Sequence, residues 1–383
     1  MEIAQSLINF TDMFYALILE ETHVHLENSF VSPFSIYTAL GMVLAGCEGN
    51  TKAEMVRAMQ LSNHSDLDTI HKGISEMLSK CSEADKGVEI TLGNRLFARK
   101  NVDIKKHFSN TLEKYYNALV EGVLFQTDPE SAETRINQWV SEQTDGKIQQ
   151  LIPLKSLTIN TLAVVISTSY FRGLWNERFL PEASADSDFY TLDGLTIHVR
   201  LMYNESYFKM TSLPDLMAQA VKIPFKDPKY SLLIILPNEL NGLPNLLKLL
   251  YKTGGISSVL SSNFENTNLQ FYLPKFKLTE GSDVSLKGVL QKMGINDAFI
   301  PGSADFSNIT DSDGTYISDV LHKAILEVDE EGVIAAASTS IEVCDEDDED
   351  VPEFRVDHPF IVSVVWNDTV PVFLGHITAP TND

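Results

Sequence analysis

The chain is short of cysteine, of basic residues and of long hydrophobic runs, and each shortage removes a class of function. Cys47, Cys81 and Cys344 are the only cysteines in 383 residues and stand far apart. An odd number at such spacing makes neither a disulfide framework nor a metal-ligand set, so no metal is expected and a reducing compartment suits the chain. Lys and Arg number 29 against 53 Asp and Glu, a net charge of −24. A surface that acidic repels nucleic acid, anionic lipid and sulfated polysaccharides, so nucleic acid, membrane and heparin are not expected as partners. The compact basic spot Lys105-Lys106-His107 reads as a solvated face. No apolar run approaches the roughly 18 residues that span a bilayer; residues 231–237 and 360–366 are strand-length. At the start, Ile3, Leu7, Phe10, Phe14 and Leu17 recur at helical spacing, interrupted by Glu2 and Asp12 and with no basic lead. That pattern predicts an amphipathic core helix rather than a secretion signal. A cytoplasmic protein is expected, with export by a non-classical route as the alternative.

Catalytic signatures are missing too. There is no Gly-rich phosphate loop, no His-Glu-x-x-His and no Gly-x-Ser-x-Gly elbow. The nine His are dispersed. His322, beside Leu321 and Ala324, reads as a hydrogen-bonded core histidine rather than a catalytic base. No residue bids for catalysis, so neither an enzyme nor a cofactor is expected.

What is present is an ordinary globular balance, 44% hydrophobic and 21% charged, without linker-like or repeated segments. One folded unit over residues 1–383 is expected. Helical periodicity marks residues 2–20, 33–46, 51–59 and 130–150, the last with Trp139 on its buried face. Strand character marks residues 88–97, then 161–171, 220–225, 230–236, 270–276, 324–328 and 360–366. Helices early and strands late predict an α+β fold.

One segment contradicts itself. From Gly332 to Cys344 the chain is small, apolar and free of proline, and its first charge is Glu342. Alternation puts Val333, Ala335, Ala337, Thr339, Ile341 and Val343 on one strand face, apolar apart from Thr339. That is a buried strand's pattern. Yet it runs directly into six acids, Asp345 to Asp350, which demand water. A loop that is exposed first and becomes a strand later resolves the conflict, with Gly332 as a permissive pivot. A flexible surface loop with an acidic linker is the plainer alternative.

Motifs along nearly the whole chain, in order, resemble those of the serpins. Asn28-Ser-Phe-Val-Ser-Pro-Phe-Ser35 is similar to the serpin opening motif, and Asn94-Arg-Leu-Phe97 and Pro274-Lys-Phe-Lys277 to family strand motifs. Tyr170-Phe-Arg-Gly-Leu-Trp175 resembles the strand end beneath the reactive loop. Asp305-Phe-Ser307, His322-Lys-Ala and Glu330-Glu-Gly332 resemble the approach to that loop, and His358-Pro-Phe360 and Phe373-Leu-Gly375 the closing strands.

The resemblance implies a single-domain α+β fold with three β-sheets, a helix-rich N-terminal half and an exposed reactive-centre loop near residues 332–352. It implies a monomer that meets a target protease as a substrate and is cleaved to an acyl-enzyme. The freed loop then inserts into the central sheet and traps the protease covalently. Insertion adds about ten backbone hydrogen bonds at roughly 0.5–1.5 kcal/mol each. Burial of Val333, Ile341 and Val343 adds about 1.5–3 kcal/mol apiece. The release is on the order of 10–20 kcal/mol, so the uninserted form is metastable. By the same likeness Glu330, Glu331, Gly332, Val333, Ala335, Ala336 and Ala337 form the loop hinge. Ser32, Ser35 and His322 match the polar cluster where the sheet parts, Ser167 stands where the family usually has Asn, and Trp175 lies where the loop first inserts. Val333 and Ile334 occupy positions where inhibitory members carry Thr or Ser and then Glu.

Counting from Glu330 as the seventeenth residue before the cut, as in inhibitory members, places cleavage between Glu346 and Asp347. A hinge one residue shorter gives Asp345–Glu346, and counting back from His358-Pro-Phe360 points nearer Asp348. All are acidic, and no Lys or Arg lies between Lys323 and Arg355, which disfavours trypsin-like targets. Val343-Cys-Asp-Glu346 resembles the bait of a serpin directed at granzyme B, while Glu342-Val-Cys-Asp345 looks like a caspase site. Three rival readings stay open: a non-inhibitory carrier or chaperone, an acidic docking module, and an elastase- or chymotrypsin-like target cut after Val343 or Cys344.

Overall fold

A computed structural model describes residues 2–21, 26–61, 66–83, 87–278, 284–312, 314–331 and 351–381. Among the described residues six helices lie before position 144: α1 (Glu2–Glu21), α2 (Pro33–Leu44), α3 (Gly49–Ala58), α4 (Leu67–Ser82), α5 (Lys106–Tyr116) and α6 (Pro129–Gln143). Three short ones follow, α7 (Leu243–Lys252), α8 (Gly255–Leu260) and α9 (Lys287–Lys292). The early strands are β1 (Ser29–Val31), β2 (Val88–Arg99), β3 (Val120–Val123), β4 (Ala163–Gly173) and β5 (Ala185–Tyr190). Next come β6 (Thr196–Leu213), β7 (Ala218–Pro224), β8 (Tyr230–Pro237), β9 (Glu265–Pro274) and β10 (Phe276–Leu278). The last are β11 (Val284–Ser285), β12 (Asp319–Val328), β13 (Glu353–Arg355), β14 (Phe360–Trp366) and β15 (Val370–Ile377).

Local chemistry sets the boundaries. Helix α2 starts where the Ser32 hydroxyl caps the Ser35 N–H and Pro33 takes the first turn. Helix α6 starts at the Asp128 cap and Pro129. It ends at Gln143, seven residues short of the predicted 150, because Asp145 and Gly146 take left-handed φ values of 46° and 77°. Residues 146–153 therefore leave the helix axis and cross the sheet as a loop. The basic spot at 105–107 sits at the start of α5, where Lys105 pairs with Asp311. Cys47 and Cys81 are free, buried thiols.

The strands form two hydrogen-bonded networks. The nine-stranded one runs β1-β15-β14-β8-β7-β6-β9-β13, with β5 on β6. Its 18-residue β6 serves two subsheets: Lys209–Leu213 pair with β7, whereas Leu201–Met210 pair with β9. With the six-stranded sheet, ordered β10-β12-β4-β2-β3 with β11 on β12, this gives the three sheets expected.

The six-stranded sheet has a distinctive centre. β2 pairs antiparallel with β4, and β10 antiparallel with β12. Between them β4 and β12 are parallel, in register from Val164 opposite Asp319 to Arg172 opposite Glu327. Alternation sends Val320, Ala324 and Leu326 of β12 into the main core beneath. Ile325 faces the other way, into a second core with Tyr170, Trp139 of α6, and Ile148 and Ile152 of the crossing loop.

Candidate functional site

The parallel β4–β12 seam carries two clusters of polar residues. Midway along it, His322 and Ser167 face each other in register. His322 is fully buried, and its Nε2 accepts from the Ser32 N–H at 2.9 Å. Nδ1 therefore carries the proton and donates to Ser167 Oγ at 3.1 Å. Ser167 Oγ in turn pairs with Ser35 Oγ at 2.9 Å. Ser32 Oγ accepts from the Ser35 N–H and donates to the Val372 carbonyl at 2.8 Å. The relay ties β12 to β4, both to the cap of α2, and that cap to β15. Burial pushes the His322 pKa down to about 3, with the Ser167 bond opposing, so the imidazole is neutral.

The second cluster lies at the C-terminal end of the seam, five residues further along β4 and so about 17 Å away. The Trp175 indole is buried and stacks on Phe225 at 4.6 Å between ring centroids. Its Nε1–H donates to the Asp329 carbonyl at 2.7 Å, and its backbone N–H to the Glu331 carbonyl at 3.1 Å. Arg172 donates to the carboxylates of Asp329 at 2.9 Å and Glu331 at 2.5 Å, and these partners hold its pKa above the ordinary value. Lys275 pairs with Glu330 at 2.7 Å. Partial burial works to raise the pKa of Glu327, but Lys277 and Lys147 outweigh it and the carboxyl sits below its usual range. The chain leaving β12 is thus held to the end of β4 by one indole and two Arg172–carboxylate contacts, and to the β9–β10 junction by Lys275.

Of the residues singled out in the sequence, the structure brings Ser32, Ser35, Ser167 and His322 into one cluster and Trp175, Glu330 and Glu331 into another. Gly332, Val333, Ala335, Ala336, Ala337, Asp345, Glu346 and Asp347 lie outside the described residues. Sequence reasoning missed Arg172, Asp329 and Lys275. The signal was there: three acids in a row, Asp329 to Glu331, close a strand, and a cation stands inside a quoted motif three residues before Trp175.

The profile of the family described as Serpin (serine protease inhibitor) matches residues 6–380. The chain is a serpin. Serpin B3 of Homo sapiens is 32% identical over 369 residues, spanning 92% of this chain and 94% of that one. Uncleaved ovalbumin superposes with a TM-score of 0.88 at 26% identity, over 99% of this chain and all of that one. Serpin48 of the insect Tenebrio molitor, described as highly specific, gives 0.86 at 31% identity over 99% and 98%. In this serpin the seam is closed: β4 and β12 are direct neighbours along nine registered pairs.

Among the described residues, no group of three His, Cys, Asp or Glu is placed to hold a metal ion, and no helix is long and apolar enough to cross a membrane.

Proposed function

We propose that the protein is a suicide-substrate inhibitor of an acid-preferring protease, granzyme-B-like or caspase-like. The observation that carries this reading is the parallel β4–β12 pair between antiparallel neighbours. Parallel pairing is the less stable arrangement per residue. A strand entering between β4 and β12 antiparallel to both replaces one parallel ladder by two antiparallel ones. β12 ends at Val328, so a segment that turns back from that end runs antiparallel to both strands.

Two further features favour opening of the seam. Among the described residues Ser169 Oγ on β4 and Asn94 Oδ1 on β2 are buried without a hydrogen-bond partner, each costing about 1–3 kcal/mol. Opposite Ser169 stands Ala324, so small side chains line this part of the seam.

The chemistry is that of any acyl transfer. The protease nucleophile adds to the carbonyl carbon of Glu346, with Asp345 as the rival. The peptide bond to the next residue breaks, and the departing amine takes the proton. An ester or thioester then joins the two proteins while residues 333–343 enter the seam from the Trp175 end. Glu330, Glu331 and the segment from Gly332 through Val333 to Ala335, Ala336 and Ala337 act as hinge. The Ser32, Ser35, Ser167 and His322 relay must part across Ser167 and His322 for the strand to pass. We take the chain to act as a cytoplasmic monomer, folding over residues 1–383 as one unit and needing no cofactor.

The test is incubation with granzyme B, a caspase, elastase and trypsin, followed by denaturing gel electrophoresis and sequencing of the released peptide. A gel-stable complex with an acid-preferring protease and cleavage after Glu346 or Asp345 is expected. A complex with trypsin alone overturns the assignment of target, and clean turnover by every protease overturns trapping.

A further inference from the structure

Strands β6, β9 and β13 make a face whose outer side reaches solvent. Alternation turns Phe208, Phe271 and Phe354 inward, where successive ring centroids lie 5.2 and 5.6 Å apart. Outward go Tyr203, Glu205 and Tyr207 of β6, Tyr272 of β9 and Arg355 of β13. Most of the polar groups there are already partnered. The Tyr203 hydroxyl donates to Glu205 at 2.8 Å, Arg355 pairs with Glu353 and lies 3.9 Å over the Tyr272 ring, and Lys209 reaches Asp368 at 3.6 Å. Tyr207 is different. It is 65% exposed, more than any other Phe, Tyr or Trp among the described residues, and among them its ring and hydroxyl have no partner.

Its place bears on the bait. β13 runs parallel to β9 with Glu353 opposite Gln270, and the Gln270 N–H donates to the Pro352 carbonyl at 3.0 Å. The chain therefore enters this face from the side of Asn268, the residue registered with Tyr207. Tyr207 stands two strands across from that entry, about 10 Å away. Seven residues of chain lead from Glu346 to Glu353, a reach of at most about 25 Å. A protease domain of about 230 residues is roughly 45 Å across, so one gripping that bond meets the face with no change in the fold.

We infer that Tyr207 is the centre of a second contact for the protease that takes the bait, an exosite used alongside the scissile bond. The inference rests on the inhibitor reading. The chemistry it fits is a cationic patch, with a guanidinium or ammonium seated on the Tyr207 ring and within reach of the Glu205 carboxylate, its outward neighbour on β6. Charge agrees on both sides: this chain carries −24, and a protease that prefers acidic residues holds cations at its cleft. An exposed tyrosine backed by packed tyrosine and arginine is also the composition of interface hot spots.

Rates of complex formation test it, measured with whichever of granzyme B and the caspase gives the gel-stable complex. Tyr207→Ala slows association about tenfold and Glu205→Gln about threefold at low salt. The ratio of trapped to merely cleaved protein stays unchanged, because strand insertion is untouched. Tyr207→Trp keeps a ring face for the cation and keeps the rate. Ile159→Ala, which trims a side chain 59% exposed on the loop before β4, leaves the rate as it was. Equal rates for Tyr207→Ala and the unmutated protein overturn the exosite and leave the inhibitor reading standing. An equal loss in Tyr207→Trp overturns it too, because the ring is then not the contact. If neither protease is trapped at all, the inhibitor reading falls and the exosite falls with it.

Discussion

Lowering the pH from 7.5 to 5.5 should destabilise this protein by about 4 kcal/mol, through three buried histidines acting together. His322, His376 and His71 are at most 4% exposed. Burial drives their pKa values down, to about 3 for His322 and about 4 for the other two. In the unfolded chain each returns to about 6.5. The unfolded state therefore binds more protons across the window from about 6.5 down to 4, and stability falls as pH falls through it. At pH 5.5 an unfolded His is mostly charged while its folded counterpart is neutral, which costs about 1.4 kcal/mol per residue. Protonating His322 in place is no escape: a charged imidazole cannot accept the Ser32 N–H. Asp12 and Asp319, whose pKa values burial raises, act in the opposite sense at the acid end, which is why the window stops at 5.5. The assay is urea unfolding at pH 7.5, 6.5 and 5.5 for the intact protein and for His322→Gln. The variant should lose about one third of the pH dependence. A midpoint flat to within the equivalent of 1 kcal/mol over that window, or one that rises on acidification, would falsify the neutral-histidine relay.

Trp175→Phe keeps a ring on Phe225 but deletes the Nε1–H bond to the Asp329 carbonyl; about 1 kcal/mol of stability should go, read from the urea midpoint. Arg172→Gln removes the contacts to Asp329 and Glu331. Because Arg172 is about a third exposed, the loss should be near 1 kcal/mol at low salt and shrink at high salt, whereas a salt-independent loss would mean packing rather than charge. Gly375→Ala places a Cβ 2.3 Å from the Ser29 carbonyl oxygen where β15 passes β1; a destabilisation of about 3 kcal/mol is expected, and wild-type stability would refute that close approach.

Much of the frame was legible because local pattern and tertiary role agree. Residues 360–366 form a strand with the predicted bounds, and Leu7, Phe10 and Phe14 are buried on α1 as their spacing requires. Helix α4 went unread although Asp66 caps it and Ile70, Ile74 and Cys81 repeat on its buried face; the intervening charges diluted a usable signal. Strand β6 was less accessible, since an 18-residue strand shared by two subsheets buries different faces along its length and shows no steady alternation around Asn204, Glu205 and Ser206. The overrun of α6 came from giving helical periodicity priority over Asp145-Gly146, a pair whose chemistry ends helices. For the site, Ser167 and His322 were named through family likeness; their register across parallel strands 155 residues apart is not written in either neighbourhood. The Glu327 contacts are the extreme case, since Lys147 and Lys277 meet on that carboxylate only because the loop after α6 passes over β12.

Trapping of a protease turns on strand insertion, and heat is the most direct probe of it. Nick the chain within residues 343–348, confirm the cut by mass, and compare the thermal transition with that of the intact protein. A gain of 10–20 kcal/mol, set against an unfolding entropy of roughly 2.1 cal/mol/K per residue, raises the transition by about 10–25 °C. Nicked protein melting at or below the intact value would mean that β4 and β12 stay paired after cleavage, and the inhibitor reading would have no engine.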